Sequence, residues 1–135
     1  MSRLVLADTG PLYAALDPTD DNHGRAQRDI ERLNEESLGV AVAYPTLCEG
    51  YSLVLRKLGV ERARGWLEEI RSYAALLNPT AEDYRGAAER IFGYRDQDLS
   101  LFDALAAVVS EQRSLAVWTY DHHFDVMGVE VWRGA

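Results

Sequence analysis

The chain has 135 residues, 47% hydrophobic and 27% charged, and its 14 lysines and arginines face 22 acids for a net charge of −8. This composition excludes a disordered chain, the size suits one compact domain over residues 1–135, and no apolar run approaches the roughly 18 to 20 residues of a membrane span. The acid excess argues against a phosphate-rich partner, because proteins that bind nucleic acid neutralise its phosphates with basic surface.

Leu4-Val5-Leu6-Ala7 is a short apolar run stopped by Asp8-Thr9-Gly10-Pro11, the pattern of a buried strand turning into a helix over Leu12 to Leu16. The opening stretch meets Asp8 too soon to be a signal peptide. After the polar turn Asp17 to Asn22, the spacing of Ala26, Ile30 and Leu33 predicts a helix with a charged outer face, and Leu38 to Ala43 a second strand. Pro45 suits the first turn of a helix whose apolar stripe runs through Leu47, Tyr51, Val54, Leu55 and Leu58 to Gly59. Val60, Ala63, Leu67 and Ile70 repeat the pattern. Thr80 with Asp83, and Ser100 with Asp103, read as capping boxes opening helices through Ile91 and over Ala104 to Gln112. Leu115 to Thr119 and Val129 to Trp132 are the last two strands. No repeat or linker interrupts this order, which predicts a three-layer α/β/α sandwich around a mostly parallel sheet.

Ligands of open α/β sheets bind beyond the carboxyl ends of the strands. Four acids fall at such places: Asp8, Glu49, Asp103 and Asp121. Each alone has an ordinary explanation: a turn former before Gly10, a solvated helix acid, the N3 partner of Ser100, and an Asx turn. Together they lie at the rim of a core, where carboxylates repel each other unless a divalent cation supplies the opposite charge. Hard oxygen donors without a cysteine or histidine set favour Mg²⁺ or Mn²⁺, which points to metal-assisted phosphoryl transfer.

The segments Leu4 to Leu12, Pro45-Thr46-Leu47-Cys48-Glu49-Gly50-Tyr51, Asp98-Leu99-Ser100-Leu101-Phe102-Asp103-Ala104 and Trp118 to Phe124 together resemble the PIN-domain ribonucleases, and more narrowly the VapC-type toxins of bacterial toxin–antitoxin systems. The resemblance implies a small α/β/α fold, Mg²⁺ or Mn²⁺ dependence, endonucleolytic cleavage of RNA, a homodimer, and neutralisation by a small cognate antitoxin. Residue by residue it assigns Asp8, Glu49, Asp103 and Asp121 to a metal-binding catalytic quartet, and Thr9 and Thr119 to hydroxyl positions beside it. Asp98 is a candidate fifth acid or a solvated loop residue, and Asp125 has an outer role or none. Two alternatives stay open: a PIN nuclease of RNA maturation without an antitoxin, and a non-catalytic acidic face that binds a basic peptide.

Other groups carry less. His122-His123 beside Asp121 hints at zinc, yet neighbouring residues are expected to point apart, as surface histidines without a third nitrogen or sulfur ligand. His23 suits a structural turn. Cys48, the one cysteine, excludes a disulfide and a Cys-based zinc site, is expected to be a buried thiol, and fits a cytoplasmic setting. Trp66, Tyr73 and Trp118 are expected in the core. An aspartyl-phosphate phosphatase would need a second acid where Gly10 stands, and a receiver domain a lysine after a late strand, whereas the one lysine, Lys57, falls in a helix. By region the charge is −5 over residues 1–55, +2 over 56–95 and −5 over 96–135, so the middle segment is the basic stretch from which a phosphate-contacting face can be drawn. Feeble RNA binding without metal, and ready attraction of a basic antitoxin tail, are expected.

Overall fold

The computed structural model describes residues 3–134. Five strands, β1 (Arg3–Ala7), β2 (Leu38–Ala43), β3 (Ala75–Leu77), β4 (Ala116–Trp118) and β5 (Val131–Trp132), form one sheet in the order β3-β2-β1-β4-β5. Every pairing is parallel. The intervening chain supplies α1 (Thr9–Leu16), α2 (His23–Glu35), α3 (Tyr44–Leu58), α4 (Val60–Tyr73), α5 (Ala81–Gly93), α6 (Leu101–Arg113) and the short α7 (His123–Val126).

Alternation along the strands splits the apolar residues into two cores. Leu6, Ala41 and Val117 face one side, where Ala87 of α5, Ala104 to Val109 of α6, and Phe124 of α7 cover them. Val5, Ala7, Val42 and Trp118 face the other, against Leu12 and Tyr13 of α1, Leu33 of α2, Leu47 and Val54 of α3, and Trp66 and Ile70 of α4. Sheet and two helical layers make the expected sandwich. Each fully buried aliphatic or aromatic side chain stabilises it by about 1.5–3 kcal/mol. At Gly50 in α3 a side chain is barred, because a Cβ there would stand 2.5 Å from the Trp66 indole of α4.

The order places the switch point between β1 and β4. From β1 the chain winds outward through β2 and β3, then returns to lay β4 on the other side of β1 and continues to β5. Ala7 pairs with Trp118, so the two strands end abreast, and the Asp8 N–H donates to the Trp118 carbonyl at 2.9 Å. Neighbouring strands whose connections leave in opposite directions open a crevice at their carboxyl ends.

Several details differ from expectation. α1 begins at Thr9 because Asp8 caps it and Pro11 fits its first turn. β3 and α7 were not anticipated, being too short to show a period. β5 keeps only Val131 and Trp132 of the expected Val129 to Trp132. Cys48 is exposed, not buried, and so are Leu55 and Tyr73: the apolar stripes of α3 and α4 are wider than the arcs that face the sheet. Among the described residues, no helix is long and apolar enough to cross a membrane.

Candidate active site

At the end of β1, Asp8 has the extended backbone of an N-cap, and one carboxylate oxygen accepts the Thr9 N–H at 2.9 Å. Its other oxygen accepts the Thr119 hydroxyl, 2.8 Å away at the end of β4. Thr119 Oγ1 in turn accepts the Asp121 N–H at 3.0 Å, and Asp121 Oδ1 accepts the His123 N–H at 2.9 Å in the Asx turn that opens α7. On the opposite wall, the Thr9 hydroxyl donates to Glu49 of α3 at 2.5 Å. One string of hydrogen bonds thus runs from α3 through both strand ends to α7.

Asp103 arrives from α6. Thr80 and Asp83 form a full reciprocal capping box, whereas Ser100 Oγ only accepts the Asp103 N–H at 3.0 Å. The Asp103 side chain does not return to the Ser100 backbone and lines a cavity of about 560 Å³ together with Asp8, Thr9, Gly10, Glu49, Ser100, Tyr120, Asp121 and His122. The four predicted acids and Thr9 therefore meet in one place, with Thr119 buried behind Asp8. Asp98 does not join them: it is exposed in the loop 94–100 and is not among the lining residues. Asp125 also stands apart, paired with Arg133 at 2.6 Å.

The charge in this cavity is uncompensated. Among the described residues that line it there is no lysine or arginine. Burial raises the Asp8 carboxyl above its ordinary value, the Thr119 hydroxyl and Thr9 N–H oppose the rise, and the charges of Glu49 and Asp121 add to it. Asp103 is pushed up to about 7 by burial first and then by the charges of Asp8 and Asp121. Burial also pushes Asp121 upward, but the His123 backbone N–H, the His123 imidazole and a hydrogen bond from Asp103 outweigh it, so Asp121 lies below the usual carboxylate range. The two carboxyls are thus displaced in opposite directions, Asp103 upward and Asp121 downward.

Ser100, Tyr120, His122 and His123 are part of this neighbourhood without having been predicted for it. Tyr120 lines the cavity while its hydroxyl donates to the buried Asp29 of α2 at 2.6 Å, the same oxygen that accepts Trp118 Nε1 at 3.0 Å. The two histidines do not diverge as expected. Their rings lie 4.3 Å apart with planes tilted by 34°, and His123 is largely buried. His23 is structural, with Nδ1 2.7 Å from the Ala14 carbonyl oxygen. Another cavity, about 590 Å³ between α5 and α6, shares no residue with the acidic one, and its Arg113 and Asp83 already pair at 3.3 Å.

Comparison with known proteins adds lineage to this geometry. A PIN-domain profile matches residues 5–130. A search of curated protein sequences finds no match. Among solved structures the chain is similar to VapC20 of Mycobacterium tuberculosis, a sarcin-ricin loop cleaving toxin, with a TM-score of 0.83 and 22% identity over 96% of this chain and 99% of that one. It is similar to VapBC2 of Rickettsia felis bound to a DNA fragment from its promoter, with a TM-score of 0.76 and 14% identity over 96% and 98% of the two chains. VapBC-5 of Mycobacterium tuberculosis, from the VapBC family of toxin–antitoxin systems, matches with a TM-score of 0.63 and 19% identity over 97% and 98%. These likenesses concern the fold. With the profile spanning nearly the whole chain and the all-parallel sheet of the VapC structures, the chain belongs to the PIN-domain family.

Proposed function

We propose that residues 1–135 act as one PIN nuclease domain, a Mg²⁺- or Mn²⁺-dependent endoribonuclease that serves as the toxin of a toxin–antitoxin pair. In this reading it works in the cytoplasm as a homodimer, cuts RNA, and is restrained by a small cognate antitoxin. The observation that carries it is the meeting of Asp8, Glu49, Asp103 and Asp121 in one cavity at the β1/β4 switch point of a PIN-family chain. The kinds of protein it resembles in fold, a toxin that cleaves RNA and members of toxin–antitoxin complexes, support the partner and substrate.

The donor set fits the ion. Four carboxylates, a cavity wall without lysine or arginine and two carboxyls displaced upward by burial and by their neighbours' charge make a site that a divalent cation stabilises. Asp8, Glu49, Asp103 and Asp121 would hold it through hard oxygen atoms. A divalent ion bound there supplies Lewis acidity, activates water for in-line attack at phosphorus and offsets charge on the leaving oxygen. The protein's own part is positional: Thr119 orients Asp8, Thr9 orients Glu49, and Ser100 fixes the first turn of α6, from which Asp103 would reach the ion.

The test maps RNA ends in cells after induction, with Asp8→Asn as control, and repeats the cleavage with purified protein. Discrete new ends, growth arrest relieved by a co-expressed small partner, and loss of cleavage by on the order of 100-fold or more in Asp8→Asn or in EDTA are expected. Cleavage that survives EDTA or the substitution overturns the metal mechanism. RNA processing without growth arrest would favour the maturation nuclease, and no cleavage with no metal binding would favour the interaction domain.

A further inference from the structure

We propose that Asp121, His122 and His123 form a second kind of metal site, for a borderline ion of which Zn²⁺ is the type, at the lip of the acidic cavity. The three residues present ligand atoms that all lie within 4.8 Å of one another. Both imidazole Nδ1 atoms turn toward the same carboxylate oxygen: Asp121 Oδ1 is 2.9 Å from that of His123 and 3.7 Å from that of His122. His123 Nδ1 is also closed off from solvent and lacks a hydrogen bond, its contact with Asp121 having ion-pair distance without hydrogen-bond alignment. A buried ring nitrogen whose polar neighbour is a misaligned carboxylate oxygen is a candidate donor to a metal ion, which accepts its lone pair.

Tetrahedral Zn²⁺ with bonds of about 2.0 Å sets its ligand atoms about 3.3 Å apart. The Asp121–His123 distance is already shorter than that spacing, and the His122 side chain, 73% exposed against 16% for His123, is free to rotate and close the remainder. Two imidazoles and one carboxylate give the mixed nitrogen and oxygen set that zinc takes with a fourth place for water, whereas Mg²⁺ prefers oxygen alone. Asp121 belongs to both sites. An ion held by the histidines therefore draws Asp121 from the quartet, and on the nuclease reading above, Zn²⁺ becomes an inhibitor that competes with the activating ion.

Zn²⁺ titration of the whole chain, followed by the imidazole resonances and by calorimetry in saturating Mg²⁺, tests this. His122 and His123 signals are expected to shift with Zn²⁺ and not with Mg²⁺, with His23, bonded to the Ala14 carbonyl, as the internal control. His122→Ala is expected to weaken Zn²⁺ binding by about tenfold or more, and to weaken it far more than Mg²⁺ binding. His123→Gln, checked for folding by circular dichroism, should do the same. In wild type, RNA cleavage with Mg²⁺ should fall with the midpoint of Zn²⁺ binding. Equal Zn²⁺ affinity in wild type and His122→Ala overturns the site while the nuclease reading stands. Histidine-dependent Zn²⁺ binding in a protein that cleaves no RNA sustains the site and removes the nuclease reading instead. Zn²⁺ bound without loss of cleavage overturns the competition for Asp121.

Discussion

In the first turn of α6, Asp103 keeps its proton up to about pH 7, while the same carboxyl in an unfolded chain loses it near 3.8. Between those values the folded state binds a proton that the unfolded state has released, so without a cation stability falls as pH rises from about 4 to about 7. Asp103→Asn removes that loss. The metal-free variant should melt roughly 2–5 °C above wild type at pH values above 7 and level with it near pH 4, and Mg²⁺ should raise the melting temperature of wild type more than that of the variant. Scanning fluorimetry across pH reads both; identical curves would contradict the upward displacement of the Asp103 carboxyl. At this scale the sequence was informative about which acids gather, because Asp8 and Asp121 directly follow apolar strands. It was silent about how Asp103 points, since Ser100-Leu101-Phe102-Asp103 reads as a reciprocal cap and only its first half forms. The histidine pair was misread because ring orientation depends on α7, whose four residues carry no period.

The elements meet the site through a clamp anchored behind it. Along the end of β4 and the turn after it, Thr119 and Asp121 serve the acidic cluster while Trp118 Nε1 and the Tyr120 hydroxyl donate to Asp29, at the middle of α2. Asp29→Ala leaves an indole N–H and a phenol without their acceptor, each costing about 1–3 kcal/mol where it stays buried. The variant should unfold at lower urea, and RNA cleavage by the fraction still folded should fall as well, because the strand end that sets Asp121 has lost its anchor. Full activity in the folded fraction would show that β4 holds its position without α2. Such a contact spans 89 residues of sequence and leaves no local signature. What was legible among the elements was whatever repeats: helices with apolar stripes, strands of four or more apolar residues, and the Thr80–Asp83 cap. The edge strand β3, three residues of Ala-Leu-Leu, is too short to alternate.

Over the whole molecule, alternating strands and helices foretold the layers but not the order of the sheet, which depends on which side of β1 the returning chain chooses. Charge follows the same lesson. The basic middle segment spends several of its cations elsewhere: Arg90 on Glu111 at 2.7 Å, Arg62 on the Leu16 carbonyl at 3.0 Å, and Lys57 over the Tyr13 ring. One cation tied to the cavity lip comes from outside that segment, Arg25 of α2, 4.1 Å from the centre of the Tyr120 ring. Arg25→Ala should raise KM for RNA by about three- to tenfold with little change in kcat, and added salt should narrow the gap between the two proteins. Equal KM values at low salt would exclude Arg25 from the substrate path. The central place of β1 has a further consequence, in time. Asp8 leaves the ribosome early, but its partner Thr119 and the fourth acid Asp121 belong to β4 and the turn after it, more than a hundred residues later, and a parallel neighbour cannot be added until its whole crossover exists. A nascent or prematurely terminated chain that stops short of residue 116 therefore carries the first acid without the pocket, so the cell that makes this protein meets a complete acidic centre only once the sheet has closed around its oldest strand.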